Sequence, residues 1–201
     1  MENEQIFRFI LMLGFAVLIP IGAYYRIKSQ ATGEKLDRRQ EGLFILLTLR
    51  PMGIAAMLGY VTYMMNPAWM AWSSVDLPNA LRWAGVGLGI PGGLLLVVTF
   101  RTLGKNLTDT VVTRAAHTLV TRGPYRWVRH PFYVATAWAV VANSLVTANW
   151  FLALTGAIVF GLMVLRTSIE EEKLIERFGE DYKEYMKRTG RFLPRLFPSK
   201  R

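Results

Sequence analysis

The chain has 201 residues, 52% of them hydrophobic, and a mean hydropathy of +0.26, which is too apolar for a soluble domain of this length. It reads as an integral, multi-pass membrane protein. Its 24 basic and 14 acidic residues give a formal charge of +10, and the absence of cysteine excludes disulfides, thiolate nucleophiles and Cys-ligated metals.

Apolar runs cover roughly residues 7–25, 43–65, 81–100, 132–148 and 150–167, against the ~20 residues that a helix needs to cross a bilayer. They predict an all-α bundle of about five transmembrane helices. Acidic Glu2 and Glu4 precede the first run and no small-residue cleavage site follows it, so it is expected to persist as a span rather than to be removed as a signal peptide. The second run holds Arg50-Pro51, a place for a kink or for an arginine reaching a polar interior. In the third, Gly85, Gly87, Gly89, Gly92 and Gly93 read as close helix packing in preference to a ligand loop. The last two runs, separated by Asn149, read as a tight helical hairpin.

Charge orients the bundle. Arg26, Lys28, Lys35, Arg38 and Arg39 follow the first run, Arg101 to Arg129 carries six basic residues after the third, and residues 66–80 carry almost none. The positive-inside rule then puts the N-terminus outside and residues 26–42, 101–131 and 168–201 in the cytoplasm. Basic loops near anionic lipid account for the excess charge, and no nucleic-acid motif accompanies it, so no nucleic-acid partner is expected. The two histidines, His117 and His130, form no metal-binding spacing with each other or with a carboxylate, and no metal is expected. Dinucleotide-binding and Walker glycine patterns are missing from the sequence as well.

Chemistry concentrates in two places. In Thr121-Arg-Gly-Pro-Tyr-Arg-Trp-Val-Arg-His-Pro-Phe-Tyr133, Pro124 and Pro131 each suit the first turn of a helix, and Arg129 and His130 would sit where free N–H groups and the positive end of the dipole favour an anion. Forty residues on, Arg166 precedes Glu170-Glu171-Glu172, and Leu174, Phe178, Tyr182 and Met186 recur every four residues as one amphipathic seam, read as packing. Arg166 and Glu170 also stand at i,i+4, so a simple helix-end pair is an alternative to a site. Tyr125, Trp127 and Tyr133 equally suit the aromatic belt of a membrane interface.

Thr102-Leu-Gly-Lys-Asn106, His117-Thr-Leu-Val120, Gly123 to Tyr133, Glu170-Glu171 and Arg191-Phe-Leu-Pro194 together resemble the isoprenylcysteine carboxyl methyltransferase family, membrane enzymes also similar to phospholipid N-methyltransferases. The resemblance covers the C-terminal half and implies S-adenosylmethionine bound without a Rossmann fold in a cytoplasmic C-terminal region. It divides the chain into N-terminal transmembrane helices over 1–100 and a catalytic half over 101–201. It implies cofactor contacts from His117, Thr118, Leu119, Val120, Tyr125, His130, Pro131, Phe132, Tyr133 and Glu170, with Arg166 as the substrate-binding and catalytic arginine. The register within Glu170-Glu171-Glu172 is set by counting back from Phe178-Gly179. The implied acceptor is a carboxylate on a lipophilic or lipidated substrate, with methylation of an amine headgroup, or a nicotinamide-dependent sterol or isoprenoid reductase, as alternatives.

Overall fold

The computed structural model describes residues 2–30, 43–104 and 118–195. Helices form over all five apolar runs: α1 (Glu2–Gln30), α2 (Leu43–Met65), α3 (Asn79–Leu103), α4 (Pro131–Thr147) and α5 (Trp150–Phe178), followed by a short α6 (Glu180–Arg188). Among the described residues three helices are long and apolar enough to cross a membrane by length and composition, namely α1, α3 and α5, and α4 is a shorter apolar helix. The expected all-α bundle of about five apolar helices is met, with α2 at 23 residues and α4, at 17, the short member. The exposed apolar side chains along α1, α2, α3 and α5 suit contact with lipid.

Helices α1 and α3 run parallel. Glu4 meets Arg82 and Phe7 stacks near Trp83 at one end, while Gly22 and Tyr25 meet Phe100 at the other. Helix α4 returns antiparallel to α3, with Gly85 beside Ala142 and Leu145, Gly92 beside Trp138, and Phe100 beside Phe132. A Cβ on Gly85 would come within 2.7 Å of the Leu145 Cβ and 2.8 Å of the Ala142 carbonyl, so the closeness of α3 to α4 needs glycine there. Gly87 is exposed with open space around it, which limits the packing reading to one face of α3.

The α4–α5 hairpin turns in two residues. Ala148 takes the left-handed conformation (φ 45°), and Asn149 caps α5 by accepting from the Leu152 N–H while its amide donates to the Ser73 hydroxyl. Helix α5 outlasts its apolar run and carries the acidic cluster on its final turns. The expected single amphipathic helix from Leu174 to Met186 is instead broken at Gly179 (φ 56°), so Leu174 and Phe178 belong to α5 and Tyr182 and Met186 to α6. Arg50 is exposed and turns away from the bundle interior.

At the end remote from the acidic cluster lies a polar clamp that the sequence reading did not assign. Arg82, buried at the start of α3, donates to the Glu4 carboxylate of α1 (2.7 Å), to the Tyr63 hydroxyl of α2 (3.3 Å) and to the Val146 carbonyl of α4 (2.7 and 3.0 Å). Its guanidinium also lies 4.1 Å from the centroid of the Phe7 ring. One side chain thus ties four helices together. Arg8 adds bonds to the Met64 and Met65 carbonyls, satisfying the end of α2. Replacing Arg82 by alanine strands these partners and should destabilise the bundle by about 3 kcal/mol, at the low end for a broken buried pair because Glu4 keeps some solvent. Reversible denaturation of the two proteins in the same detergent measures the difference.

Candidate functional site

The second polar cluster gathers three chain segments at the opposite end. Residues 123–126 form a 3-10 turn with Pro124 in its first turn, and Pro131 opens α4, as the two prolines predict. The segment after α6 runs back against this loop: the Arg129 N–H donates to the Gly190 carbonyl (2.8 Å), the His130 N–H to the Arg191 carbonyl (3.1 Å) and the Gly190 N–H to the Trp127 carbonyl (3.4 Å). A Cβ on Gly190 would lie 1.7 Å from the Leu193 carbonyl oxygen, so the strap folds over itself only with glycine at that point. The Arg129 and His130 N–H groups are thereby bonded within the protein.

The side chains give the cluster its chemistry. Glu171, buried, accepts from Arg129 Nε at 2.8 Å and faces His130 Nε2 at 3.1 Å, and its second oxygen lies 3.3 Å from Arg191 Nη2. Glu170 accepts from the Tyr133 hydroxyl at 2.7 Å and from Arg166 at 3.0 and 3.2 Å. Arg129 also donates to the Thr189 and Met186 carbonyls, and the Tyr185 hydroxyl to the Tyr125 carbonyl at 2.6 Å. Burial pushes the Tyr185 phenol up to about 12 and those of Tyr125 and Tyr182 higher still, so all three stay neutral.

A cavity of about 1340 Å³ opens beside this cluster. Its polar end is lined by Thr118, Leu119, Val120, Tyr125, His130, Phe132, Tyr133, Arg166 and Glu170, which brings together most of the expected site residues. Pro131 is buried at the helix start and does not line it, and His117 lies outside the described residues. Glu170 lines the cavity, Glu171 does not, and Glu172 is exposed. Leu174, Phe178 and Tyr182, read from sequence as packing residues, also border the space. From this end an apolar arm continues between α1 and α3, along Gly14, Leu18, Gly89 and Gly93, down to Leu11, Val86 and Val146. Fourteen residues of helix separate Val86 from Phe100, a depth of roughly 21 Å at 1.5 Å per residue.

A bundle of lipid-facing helices with a buried ionic cluster beside a largely apolar cavity that is polar at one end defines a helical membrane protein with an amphiphilic site. Over residues 85–176 the chain matches the model of the isoprenylcysteine carboxyl methyltransferase family, so the resemblance read from its motifs is shown across that segment. It is 31% identical to protein-S-isoprenylcysteine O-methyltransferase of Rattus norvegicus over 144 residues, covering 70% of this chain and 50% of that one. The corresponding protein of Homo sapiens is 32% identical over 126 residues, covering 61% and 44%. The chain spans about half the length of these curated relatives. The solved structure of a eukaryotic intramembrane Ras methyltransferase, isoprenylcysteine carboxyl methyltransferase, shares the fold with a TM-score of 0.53 at 19% identity, covering 91% of this chain and 62% of that one.

Sequence reasoning set Arg129 beside an anion, passed over Glu171 for Glu170 by register and gave Arg191 no role of its own; it did not join the three, although all lie in the motifs it singled out. Their signal was the pairing of two arginines with a carboxylate at the edge of an apolar run, which needs compensation wherever it is buried. The exposures of the three glutamates make a direct test. Glu170→Ala should weaken S-adenosylhomocysteine binding by about 1–3 kcal/mol, the cost of removing a charged hydrogen-bonding partner, and Glu172→Ala should change it little. Calorimetric titration of both variants checks the register, and equal losses would reverse it.

Proposed function

We propose that this chain is an S-adenosylmethionine-dependent membrane methyltransferase that esterifies a carboxylate carried by a lipophilic substrate, as its relatives' names describe for isoprenylcysteine. The observation that carries this reading is the single cavity joining a polar, tyrosine- and carboxylate-lined end to an apolar arm. Its volume exceeds the ~300–1,000 Å³ of an ordinary small-molecule pocket, which suits a cofactor and an acceptor held together. In this proposal the site end faces the cytoplasm, consistent with the basic residues Arg26, Lys28 and Arg101 near the ends of α1 and α3. The division of roles is also proposed: residues 1–100 supply most of the lipid arm, and residues 101–201 the chemistry.

The residues present fit the cofactor. Glu170 offers an acidic partner to an ammonium, and Leu119, Val120, Phe132 and Tyr125 offer apolar and aromatic surface to a base. When bound, S-adenosylmethionine supplies a methyl group made electrophilic by its sulfonium. Because an acceptor carboxylate is already ionised, the protein has to remove no proton, and its task is to hold the acceptor oxygen in line. Arg166 lines the cavity while bonded to Glu170, so its guanidinium, with donors along two edges, is placed to share itself between Glu170 and an acceptor carboxylate. A fixed cation at that point disfavours a quaternising amine headgroup, which ranks N-methylation of a lipid amine second.

S-adenosylhomocysteine should raise the thermal stability of the purified protein and NADPH should not, since a ligand at a hundred times its Kd adds about 2.7 kcal/mol. Arg166→Ala should lower methyl transfer to an S-prenyl cysteine acceptor by roughly 10²-fold while changing the Kd for S-adenosylhomocysteine far less, and Arg166→Lys should restore little. Normal turnover in Arg166→Ala would remove the carboxylate clamp and leave the methyltransferase reading in place.

The apolar arm generates its own test. Gly14 lines the arm from α1 with open space around its Cβ position, whereas Gly87 is as open on the outer face of α3 and lines no part of it. Gly14→Leu should therefore raise KM for a twenty-carbon prenyl acceptor much more than for a ten-carbon one. Gly87→Leu, the same chemical change on the lipid-facing side, should alter neither. Steady-state kinetics of both variants with the two acceptors checks it.

A further inference from the structure

Exposed apolar side chains along the spans have lipid to meet, but two stand outside the helices, on the loop and the strap that frame the site. Trp127 is 55% exposed, four residues before Pro131 opens the apolar helix α4, and Leu193 is 78% exposed. Their segments are joined through the backbone, from the Gly190 N–H to the Trp127 carbonyl (3.4 Å) and from the Arg129 N–H to the Gly190 carbonyl (2.8 Å). Residues 121–129 and 186–195 hold seven basic residues and no acidic one. Arg129 and Arg191 turn inward to Glu171, and Arg188 pairs with Glu184 of α6. The other four, Arg122, Arg126, Lys187 and Arg195, are exposed. The Arg126 guanidinium lies 4.7 Å from the centroid of the Trp127 ring, so a fork of donors and an apolar ring are held as one unit.

We propose that Trp127 and Leu193, with Arg122, Arg126, Lys187 and Arg195, form a foot that docks on anionic phospholipid headgroups of the membrane holding the bundle, and that docking steadies the strap bracing the site. Charge alone would be only a topology signal, since basic loops collect on the cytoplasmic side whether or not they touch lipid. An exposed indole and an exposed leucine in the same two segments add the second element of surface binding, apolar insertion beside attraction for anionic lipid. The level is right as well. Trp127 stands where α4 leaves the membrane, the depth at which tryptophan collects, and the guanidinium stacked on it has donors suited to phosphate oxygens. The outward face of α6 differs, pairing Lys183 with Glu180 and Arg188 with Glu184, a mixture of signs that suits water. The strap carries the link to the site. Its Arg191 lies 3.3 Å from Glu171, its Gly190 and Arg191 carbonyls hold the Arg129 and His130 N–H groups, and the Phe192 ring centroid lies 5.8 Å from that of His130 and 6.1 Å from that of Tyr133. Both of those rings line the cavity, so a strap held at the headgroups keeps one wall of its polar end in place. The docking stands without the methyltransferase reading, and only the ligand that reports on the steadying rests on it.

Docking is read without any ligand. The chain has no cysteine, so Leu193→Cys carries the one nitroxide label. Its collisions with membrane-dissolved oxygen and with an aqueous nickel chelate are measured in nanodiscs of phosphatidylcholine alone and in nanodiscs where phosphatidylglycerol replaces part of it. With the anionic lipid the label should be reached mainly by oxygen. In the neutral lipid, or in the anionic one when Arg122→Gln and Arg126→Gln are added, it should be reached mainly by the chelate. A label in water in both lipids, as on a surface kept for an acidic protein segment, overturns the proposal. One sunk equally in both shows apolar contact without headgroup recognition and overturns it too. The second measurement is the Kd for S-adenosylhomocysteine, which carries no net charge near neutral pH and is neither drawn nor repelled by the lipid. The wild-type protein should bind it roughly threefold or more tightly in the anionic nanodiscs, and Leu193→Asp should lose that gain while keeping the wild-type Kd in the neutral ones. A Kd that ignores the lipid while the label docks overturns the steadying of the strap. If the wild-type protein binds no S-adenosylhomocysteine in either lipid, the methyltransferase reading fails, and the label alone decides the docking.

Discussion

Ionised groups inside a helical bundle have to be answered by partners, because a charge stripped of water costs several kcal/mol and its mutual attraction with an opposite charge repays that only when geometry and hydrogen bonds are complete. Two such groups govern this molecule. Arg82 sits at one end, bonded to α1, α2 and α4, and Glu171 sits at the other, gripped by Arg129, Arg191 and His130. Between them the bundle is almost wholly apolar, and helix packing in lipid has little hydrophobic drive to choose one arrangement over another. The ion clusters make that choice. The first sets the register of α1 against α3, and the second sets the path of the loops that close the cavity.

The cavity follows from this arrangement together with a choice of small residues. Helix α3 turns Gly85, Gly89 and Gly92 to α4, most closely at Gly85, and presents Gly93 toward Leu18 of α1. The first contact fills space and the second leaves it. A helix with a larger residue at Gly93 would have packed on α1 and narrowed the arm, so one stretch of sequence both glues the bundle and hollows it.

Much of this was legible in the sequence, for identifiable reasons. Helix number followed from apolar run length, the 3-10 turn and the start of α4 from Pro124 and Pro131, and the α4–α5 hairpin from the single polar break at Asn149. The grouping of Tyr125, His130, Tyr133, Arg166 and Glu170 around one space was legible only through the order of motifs, since 33 residues separate Tyr133 from Arg166 and nothing local joins them. Three features were hidden. The break at Gly179 was masked by a seam that keeps a four-residue spacing through it. The role of Glu4 was masked because a carboxylate near a chain start reads as solvated until its partner, 78 residues away, is known. The strap after α6 was masked because it works through backbone bonds of Gly190 and Arg191, which carry no side-chain signature.

The Glu4–Arg82 pair also bears on how the protein is made. Glu4 leaves the ribosome 78 residues before the arginine that will neutralise it, and Arg8 emerges well before the carbonyls of Met64 and Met65 that it will bond. The first helix therefore enters the membrane with a carboxylate and a guanidinium that have no lasting partners, held near the interface by their own preference for water. It can settle to its final depth only once α2 and the start of α3 have arrived. Assembly of the first three helices is in this way coupled, because Glu4 of α1 has its buried partner only when Arg82 of α3 is in place.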